Sequence, residues 1–547
     1  MPLNTHSRKS NLTHAATQHW DLIVIGGGIT GAGIALEAVA RGLSVVLVEQ
    51  YDFASGTSSK STKLIHGGLR YLKQLEFGLV RTVGRERAVL HRLAPHLVTP
   101  VDMVLPIVEG GSLGKFSTAV ALWIYDFLAG VKPEERFKML TAQQAVQQEP
   151  LLRTHNLKGA AVYKEYRTDD ARLTMSVLKS AVDLGAQCFN YAQAIQFIED
   201  DGRITGVTIQ DLLGQAAYNL NGSVVINAAG PWVDDVRSLE TIPRGKRLHL
   251  TKGVHIVVPQ ALFPIKHSIY FDVESDNRMV FAIPRDSIVY IGTTDTNYTG
   301  SKAQIDVTDA DIQYLLSAVH AVFKDIHVNP EDVISGWAGL RPLIHEEGRS
   351  PSELSRKDEI FISQKGLISM AGGKLTGYRK MAQKAVDKAI RTAGKHQFTS
   401  LKKADTRKIN LHGADFEKDI PTYITLRSGE VRHLGITHQQ VTALVNRYGT
   451  ATSIILDEVF KYIQQLQDPT LSLLKAEVLY GIHHEQVTNV SDFLVRRTGR
   501  LYFEIDFCKT YYRQIATWIA EELGMDASES DLQLQWFEAV LQSVQFK

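Results

Sequence analysis

A glycine-rich turn near the start of the chain has residue types and spacing that can hold a phosphate group. The turn is formed by Gly26, Gly27, Gly28, Ile29, Thr30 and Gly31. Gly26 permits a tight turn, Gly28 lets a pyrophosphate approach the backbone, and Gly31 lets a helix pack close to the strand. Free N–H groups at the start of that helix attract phosphates. The turn therefore predicts a dinucleotide cofactor, and by itself it leaves nicotinamide and flavin open.

The residues after this turn favour a flavin. Glu49 ends the next apolar run, about 20 residues on, where it can accept hydrogen bonds from ribose hydroxyls. A hydroxyl-rich run and an apolar, glycine-rich run follow, and they can lie along an extended cofactor such as FAD and donate to its phosphates and ring edges. The candidate contacts in these runs are Thr57, Ser58, Ser59, Leu64, His66 and Gly67.

The elements that position these residues can be read from the pattern of apolar runs. Residues 21–49 give strand, turn, helix and strand, as in a buried parallel α/β unit. Another buried strand leads into Ala229 and Gly230, which we expect near the adenosine half of the cofactor. A second glycine turn, with Gly373, Lys374, Leu375 and Thr376, precedes a helix whose N–H groups can stabilise negative charge on a reduced flavin.

The chain is long enough for several domains, since 547 residues exceed what one core usually organises. We predict a flexible leader over residues 1–19 and a discontinuous dinucleotide-binding domain with a substrate cap over 20–395. The cap is expected mainly within 94–165 and 247–345, where the pattern suggests an α+β unit. Residues 409–547 are predicted to form a helical domain that braces the fold or mediates association.

Composition and charge exclude several functional classes. The net charge is +1, so no global field indicates a nucleic-acid partner. The only cysteines, Cys188 and Cys508, lie far apart and lack metal-ligand spacing, so we expect neither a disulfide framework nor a metal site.

The longest apolar run, Ala119 to Tyr125, is too short to span a bilayer. A buried helix is the favoured interpretation of this run. The alternative is a segment that dips into a membrane interface, with Trp123 and Tyr125 at the level of the headgroups.

Together these segments resemble the FAD-dependent glycerol-3-phosphate dehydrogenases. The matching segments include Thr57-Ser-Ser59, His66-Gly-Gly-Leu-Arg-Tyr-Leu72, Tyr166-Arg-Thr-Asp-Asp-Ala-Arg172, Asn227-Ala-Ala-Gly-Pro-Trp232, Lys252-Gly-Val-His-Ile256, Gly292-Thr-Thr-Asp295, Gly339-Leu-Arg-Pro342 and Gly372-Gly-Lys-Leu-Thr376. The resemblance covers about 21–395 and implies an α/β fold: a Rossmann-like, glycine-oxidase-like FAD-binding domain, an α+β substrate cap and a helical C-terminal domain.

The resemblance also implies a reaction and its partners. The expected reaction is oxidation of sn-glycerol 3-phosphate to dihydroxyacetone phosphate, with electrons passing to FAD and then to a quinone. The expected location is cytoplasmic, with peripheral association at the cytoplasmic face of the plasma membrane, and a homodimer is one expected assembly. Three alternatives stay open: a glycerol-3-phosphate oxidase that reduces oxygen to hydrogen peroxide, a redox-silent FAD-binding protein, and an NAD-linked dehydrogenase.

The same resemblance suggests roles for side chains at the substrate. Arg70 and Arg341 are candidates to bind the phosphate, because arginine offers a planar donor fork, and Lys374 and Tyr71 join them. His255 is the first candidate for the base, since a neutral imidazole accepts a proton near pH 7. His66 is the second candidate, and Arg341 can also polarise the developing ketone.

Overall fold

A computed structural model describes residues 3–66, 77–111, 114–131, 133–242, 246–273, 278–344, 358–394, 397–398 and 401–546. The strands are β1 (His19–Ile25), β2 (Val45–Val48), β3 (Leu64–Ile65), β4 (Thr99–Val108), β5 (Lys138–Thr141), β6 (Leu157–Arg167), β7 (Gln187–Phe189), β8 (Ala192–Asp200), β9 (Arg203–Asp211), β10 (Ala217–Asn227), β11 (Leu248–Pro259), β12 (Ser268–Val273), β13 (Arg278–Arg285), β14 (Ile288–Gly292), β15 (Thr296–Asn297), β16 (Ser335–Ile344), β17 (Asp358–Ile362) and β18 (Ile368–Gly372).

Helices cover both domains and make up most of the C-terminal region. They are α1 (Thr5–Ala15), α2 (Ile29–Ala40), α3 (Phe77–Leu93), α4 (Lys115–Ala129), α5 (Ala142–Gln148), α6 (Asp170–Asp183), α7 (Val233–Ser238), α8 (Asp309–Val322), α9 (Tyr378–Ala393), α10 (Ile420–Val431), α11 (His438–Tyr448), α12 (Thr452–Leu466), α13 (Pro469–Glu485), α14 (Arg500–Phe503), α15 (Ile505–Leu523) and α16 (Ala527–Ser543).

The first sheet has the order β17-β18-β10-β1-β2-β7, with β8 and β9 continuing from β10. Strands β18, β10, β1, β2 and β7 are parallel neighbours; one face of this sheet packs on α2, α6 and α9, and the other packs on α1, β8 and β9. The carboxyl ends of β1, β10 and β18 lie side by side, which brings the turns that follow them to one edge. The predicted α/β dinucleotide-binding sheet is therefore confirmed.

The second sheet has the order β15-β11-β14-β13-β12-β4-β6-β3, with β16 paired to β11 and β5 to β6. Its long antiparallel pair β11–β16 runs from Leu248 opposite Ile344 to Val257 opposite Ser335. One face of the sheet packs on a core with α8, and the other packs on α4 and the C-terminal helices. This is the mixed cap layer expected from the sequence, and its predicted boundaries stay predictions.

Residues 3–19 are folded, so the prediction of a flexible leader over 1–19 was wrong for this part of the segment. Helix α1 begins after Asn4, whose side chain accepts the His6 N–H. Its Leu12 is fully buried, and Arg8 pairs with Asp211 across 2.8 Å in the protein interior. The polar composition of this segment concealed a helix that docks through a few apolar residues and one buried ion pair.

Helix α4 contains the long apolar run, and it has one buried and one exposed face. Leu122 and Tyr125 are buried, whereas Trp123 is 63% exposed. The buried-helix interpretation is thus correct for one face only. The alternative, which placed Tyr125 at the level of membrane headgroups, was wrong for that residue. Among the residues described, no helix is long and apolar enough to cross a bilayer.

The C-terminal helices are fastened to the first domain by buried charges. Arg497 is fully buried and donates to both oxygens of Asp52, at 2.7 and 2.8 Å. Burial opposes ionisation of that carboxyl, but the charges of Arg497 and Arg496 lower its pKa to about 2. Because Asp52 lies just after Glu49, these contacts support a bracing role for the C-terminal region.

Candidate active site

The glycine turn after β1 forms one end of a cavity of about 790 Å³. Gly26 has φ 113°, a conformation that side chains rarely adopt, and a Cβ at Gly31 would lie 1.8 Å from the Gly26 carbonyl oxygen. Gly28 caps α2 without any side-chain hydrogen bond. The start of α2 therefore opens on the cavity with its backbone donors and its partial positive charge.

Glu49 is fixed at the end of β2 beside this turn. Its carboxylate accepts the Gly27 N–H at 2.7 Å and the Tyr51 N–H at 2.9 Å. Burial raises the pKa of Glu49, although both backbone donors oppose that shift. The side chain lines the cavity, so its remaining acceptor capacity is available to a ribose diol.

Two further turns reach the same cavity from the neighbouring strands. Ala229 and Gly230 follow β10, and Gly373 follows β18 with φ 83°. A Cβ at Gly373 would lie 2.4 Å from the Met381 sulfur, so the turn requires glycine. Lys374, Leu375 and Thr376 line the cavity at the short turn that leads into α9. The glycine cradle and the N-terminus of α2 fit the pyrophosphate of FAD, and the second turn fits its ring.

The hydroxyl-rich run is only partly turned towards the cavity. Thr57 and Ser58 line it, but Thr57 Oγ1 donates to the Leu340 carbonyl at 2.7 Å and Ser58 Oγ accepts the Ile29 N–H at 2.9 Å. Ser59 is buried outside the cavity lining. The Thr57 and Ser58 hydroxyls therefore hold the segment against β16 and α2, and contact of Ser59 with the cofactor stays a prediction. Gly27 and Gly31 likewise shape the turn without lining the cavity.

The opposite wall of the cavity comes from the strand pair β11–β16. His255 and Arg341 belong to the same face of this pair, because Gly253 pairs with Gly339 between them. Because these two glycines have no side chains, the Arg341 guanidinium can pack directly over Gly253 and Lys60 can pack over Gly339. All four residues line the cavity, so the two candidate groups that are 86 positions apart in sequence become neighbours.

His255 is held in a buried, neutral state. Its Nε2 lies 3.0 Å from Thr62 Oγ1, and its ring stacks on Trp337 at 4.8 Å. Burial lowers the pKa of His255 well below its usual value, and the charges of Arg341 and Lys63 lower it further. Nδ1 is covered by protein and has no hydrogen-bond partner in the described part of the chain.

Arg341 is aimed by a set of oxygen acceptors. Its guanidinium donates to the Thr294 carbonyl at 3.1 Å, to Asp295 at 3.2 Å and to Thr293 Oγ1 at 2.8 Å. The planar group passes directly over Gly253, where an added Cβ would lie 2.3 Å from Nη2. A fixed cation at the cavity wall suits recognition of a phosphate group.

The remaining predicted substrate contacts have different outcomes. His66 and Lys374 both line the cavity, and the His66 ring lies 6.1 Å from that of Phe281 in an edge contact. Gly67, Arg70 and Tyr71 lie outside the described residues.

Several residues that support the site were not singled out in the sequence. Lys63 is buried, pairs with Asp170 at 2.5 Å and lies 5.5 Å from the Trp337 ring. The ring of Tyr502, from the C-terminal region, lies 5.2 Å from the Trp337 ring. Thr62 holds His255. The only sequence signal for Lys63 and Thr62 was their place in the hydroxyl-rich run.

Comparisons with known proteins agree with this geometry. The family described as "FAD dependent oxidoreductase" matches residues 21–379, and "C-terminal domain of alpha-glycerophosphate oxidase" matches residues 404–530. The chain is 43% identical over 551 aligned positions to an aerobic glycerol-3-phosphate dehydrogenase of Staphylococcus aureus (strain MRSA252), covering 100% of this chain and 98% of that protein.

Solved structures extend the likeness to the fold. The glycerol-3-phosphate dehydrogenase from Bacillus halodurans, complexed with FAD, has a TM-score of 0.85 at 39% identity and covers 99% of this chain and 98% of its own. A glycine oxidase from Bacillus cereus shares the fold at a TM-score of 0.51, 21% identity and coverage of 68% of this chain and 98% of its own. The expected glycine-oxidase-like fold is confirmed, and the chain belongs to the FAD-dependent oxidoreductases, within the family of aerobic glycerol-3-phosphate dehydrogenases.

Proposed function

We propose that the protein oxidises sn-glycerol 3-phosphate to dihydroxyacetone phosphate with FAD as its resident cofactor. The observation that carries this proposal is the pair formed by His255 and Arg341, which lie on the same face of the β11–β16 pair and line the same cavity. A neutral imidazole and a fixed guanidinium are what oxidation of a phosphorylated secondary alcohol needs. The glycine cradle lies in the wall of the same cavity.

The chain's own residues supply the cation and the proton acceptor. Arg341 binds the substrate phosphate, or polarises the oxygen that becomes the ketone, while Asp295 and Thr293 hold the guanidinium in place. His255 takes the hydroxyl proton, which a ring kept neutral by burial can accept. Bound FAD supplies the acceptor for the hydride that leaves the carbon bearing that hydroxyl. The alcohol thus loses one proton and one hydride.

Two turns that line the cavity would hold the cofactor through backbone donors. The start of α2 and Gly28 would receive the pyrophosphate, and the Glu49 carboxylate would accept hydrogen bonds from the ribose. The turn at Gly373 and Lys374 would hold the flavin ring, where N–H groups would favour the negative charge of the reduced form.

Substitution of Arg341 tests this assignment. Arg341→Ala should lower kcat/KM for glycerol 3-phosphate by roughly 30-fold or more, mainly through KM, because a charged hydrogen bond to phosphate is lost. Flavin content should stay that of the wild type. The control is Arg513→Ala, which removes a surface arginine paired with Glu538 and should leave the kinetics unchanged. Unaltered KM in Arg341→Ala would remove this arginine from the site.

For the electron acceptor we propose a quinone rather than oxygen. A quinone dissolved in lipid requires the enzyme to work at a membrane surface, and the described chain has no spanning helix, so we propose peripheral association at the cytoplasmic face of the plasma membrane. Oxygen consumption during turnover, measured with and without a soluble quinone, separates the two acceptors. Stoichiometric hydrogen peroxide without quinone would identify an oxidase instead.

A homodimer is a further proposal that follows from the family resemblance. Light scattering on the FAD-loaded protein tests it directly, since a monomer has a mass of 60.8 kDa before cofactor. A single species at that mass at all concentrations would contradict the dimer.

A further inference from the structure

Helix α4 presents a row of large apolar side chains to solvent. Phe116, Val120, Trp123 and Phe127 are 83%, 41%, 63% and 75% exposed. Their spacing of four, three and four residues places them on one side of the helix, which we call the docking face. The opposite side, with Leu122 and Tyr125, is buried in the cap core, so α4 is apolar on both faces.

The docking face is a continuous patch rather than a set of scattered residues. The Trp123 and Phe127 rings stack with centroids 6.0 Å apart and planes 8° from parallel, although both are open to solvent. Contiguous apolar surface of this kind marks a place where a protein meets another apolar phase.

The exposed charges on α4 and on the neighbouring helix α3 have one sign. Helix α3 packs beside α4. The exposed charged side chains of these two helices are Arg81, Arg85, Arg92 and Lys115. The two acidic residues are turned inward: Glu86 is paired with the buried Arg379, and Asp126 accepts the Phe137 N–H at 2.9 Å. On the described residues of α3 and α4, the solvent-facing surface is therefore apolar and cationic.

We propose that the docking face inserts into the headgroup region of an anionic lipid surface, with the cations of α3 and α4 facing lipid phosphates. The fifteen residues of α4 span about 22 Å, which is shorter than a bilayer core of about 30 Å. The helix thus lies along the surface, and Trp123 takes the interfacial position that tryptophan favours. The docking face would be the surface through which the peripheral association proposed above takes place, and its role rests on that proposed function.

The position of α4 ties lipid contact to the active-site cavity. The buried Tyr125 of α4 packs edge-on against Tyr163, with centroids 6.5 Å apart, and Tyr163 lines the cavity. One layer of side chains therefore separates the docking face from the cavity wall. A docked enzyme would hold its cavity next to the phase in which a lipid-soluble acceptor dissolves.

A second copy of the chain is a poorer partner for this face. An isologous contact would bring the cations of α3 and α4 from both copies to one interface, and like charges there destabilise association. Anionic lipid satisfies the apolar row and the cations together.

Vesicle binding by the FAD-loaded full-length protein tests the proposal. The probes are phosphatidylcholine vesicles with and without phosphatidylglycerol, separated by sedimentation. The triple variant Phe116→Ser, Trp123→Ser, Phe127→Ser should lose roughly tenfold in partitioning for each ring removed. The matched control is Leu532→Ser with Trp536→Ser on α16, whose side chains are 67% and 51% exposed, and it should bind like the wild type.

Two further measurements separate the lipid contact from general loss of structure. Arg81→Glu with Arg85→Glu should weaken binding to phosphatidylglycerol, and raising salt from about 0.1 M to about 1 M should do the same, because the Debye length falls from about 10 to about 3 Å. Trp123→Phe should retain binding but lose the quenching of tryptophan fluorescence by brominated lipid, whereas Trp536→Phe should keep that quenching.

The oxidation of glycerol 3-phosphate with a soluble dye acceptor is the internal reference. Docking-face variants should keep that activity and their flavin content, since none of these residues lines the cavity. If the dye-linked activity is absent in the wild type, the proposed function fails independently of lipid. Equal vesicle binding by wild type and triple variant would overturn the docking face, and so would Trp123-dependent self-association without lipid binding.

Discussion

A single added methyl group at Gly253 should displace the Arg341 guanidinium and weaken substrate binding, without changing the amount of bound cofactor. The Cβ of Gly253→Ala would lie 2.3 Å from Arg341 Nη2, 2.6 Å from Cζ and 2.7 Å from Nη1, where ordinary contact begins at 3.4 Å. The guanidinium must therefore shift by about 1 Å, away from the acceptors that aim it. A misplacement of about 1 Å costs up to about 100-fold in rate, and we expect kcat/KM to fall by about 30-fold, or about 2 kcal/mol.

The assay combines steady-state kinetics with the ratio of flavin to protein. KM for glycerol 3-phosphate should rise while the flavin ratio stays that of the wild type, because Gly253 lies in the wall opposite the glycine cradle. Gly429→Ala is the matched control, since its added Cβ meets nothing within 4 Å. A Gly253→Ala enzyme with wild-type KM, or one that loses flavin in step with activity, would show that the added methyl group does not act through Arg341.

A change of pH and substitutions of Arg497 and Gly31 also have specific expected outcomes. Because its pKa is lowered, His255 stays neutral above about pH 6.5, the usual pKa of histidine, so the rate of flavin reduction should be independent of pH there and fall only as the pH nears the lowered pKa. The stability should fall as the pH drops below about 6.5, because the unfolded chain then takes up a proton that the folded chain does not. A rate that falls through about pH 6.5 in stopped-flow would contradict this. Arg497→Met leaves Asp52 buried without its main partner, so the free energy of unfolding should drop by about 3–5 kcal/mol in denaturant titrations, and a loss below about 1 kcal/mol would contradict it. Gly31→Ala would push a Cβ into the Gly26 carbonyl, so the purified protein should contain little flavin; a full flavin ratio would contradict it.

Features governed by short stretches of chain could be predicted from the sequence. The turn from Gly26 to Gly31 and the acid at Glu49 follow from spacing within one βαβ unit, and the structure has them as expected. The second glycine turn was recognised for the same reason.

Features that depend on distant pairing could not be predicted from spacing. The proximity of His255 to Arg341 requires the register of β11 and β16, and nothing local in either strand specifies it. The first helix was missed because one buried ion pair, Arg8 with Asp211, compensates for its polar composition.

Glycerol 3-phosphate should reduce the flavin that this cavity holds. The direct measurement is the flavin absorbance of the purified protein, mixed without oxygen with sn-glycerol 3-phosphate or with glycerol. We predict that the phosphate ester bleaches the flavin, that glycerol leaves it oxidised, and that Arg341→Ala requires far more substrate for the same bleaching. A flavin that stays oxidised at saturating glycerol 3-phosphate would contradict the account.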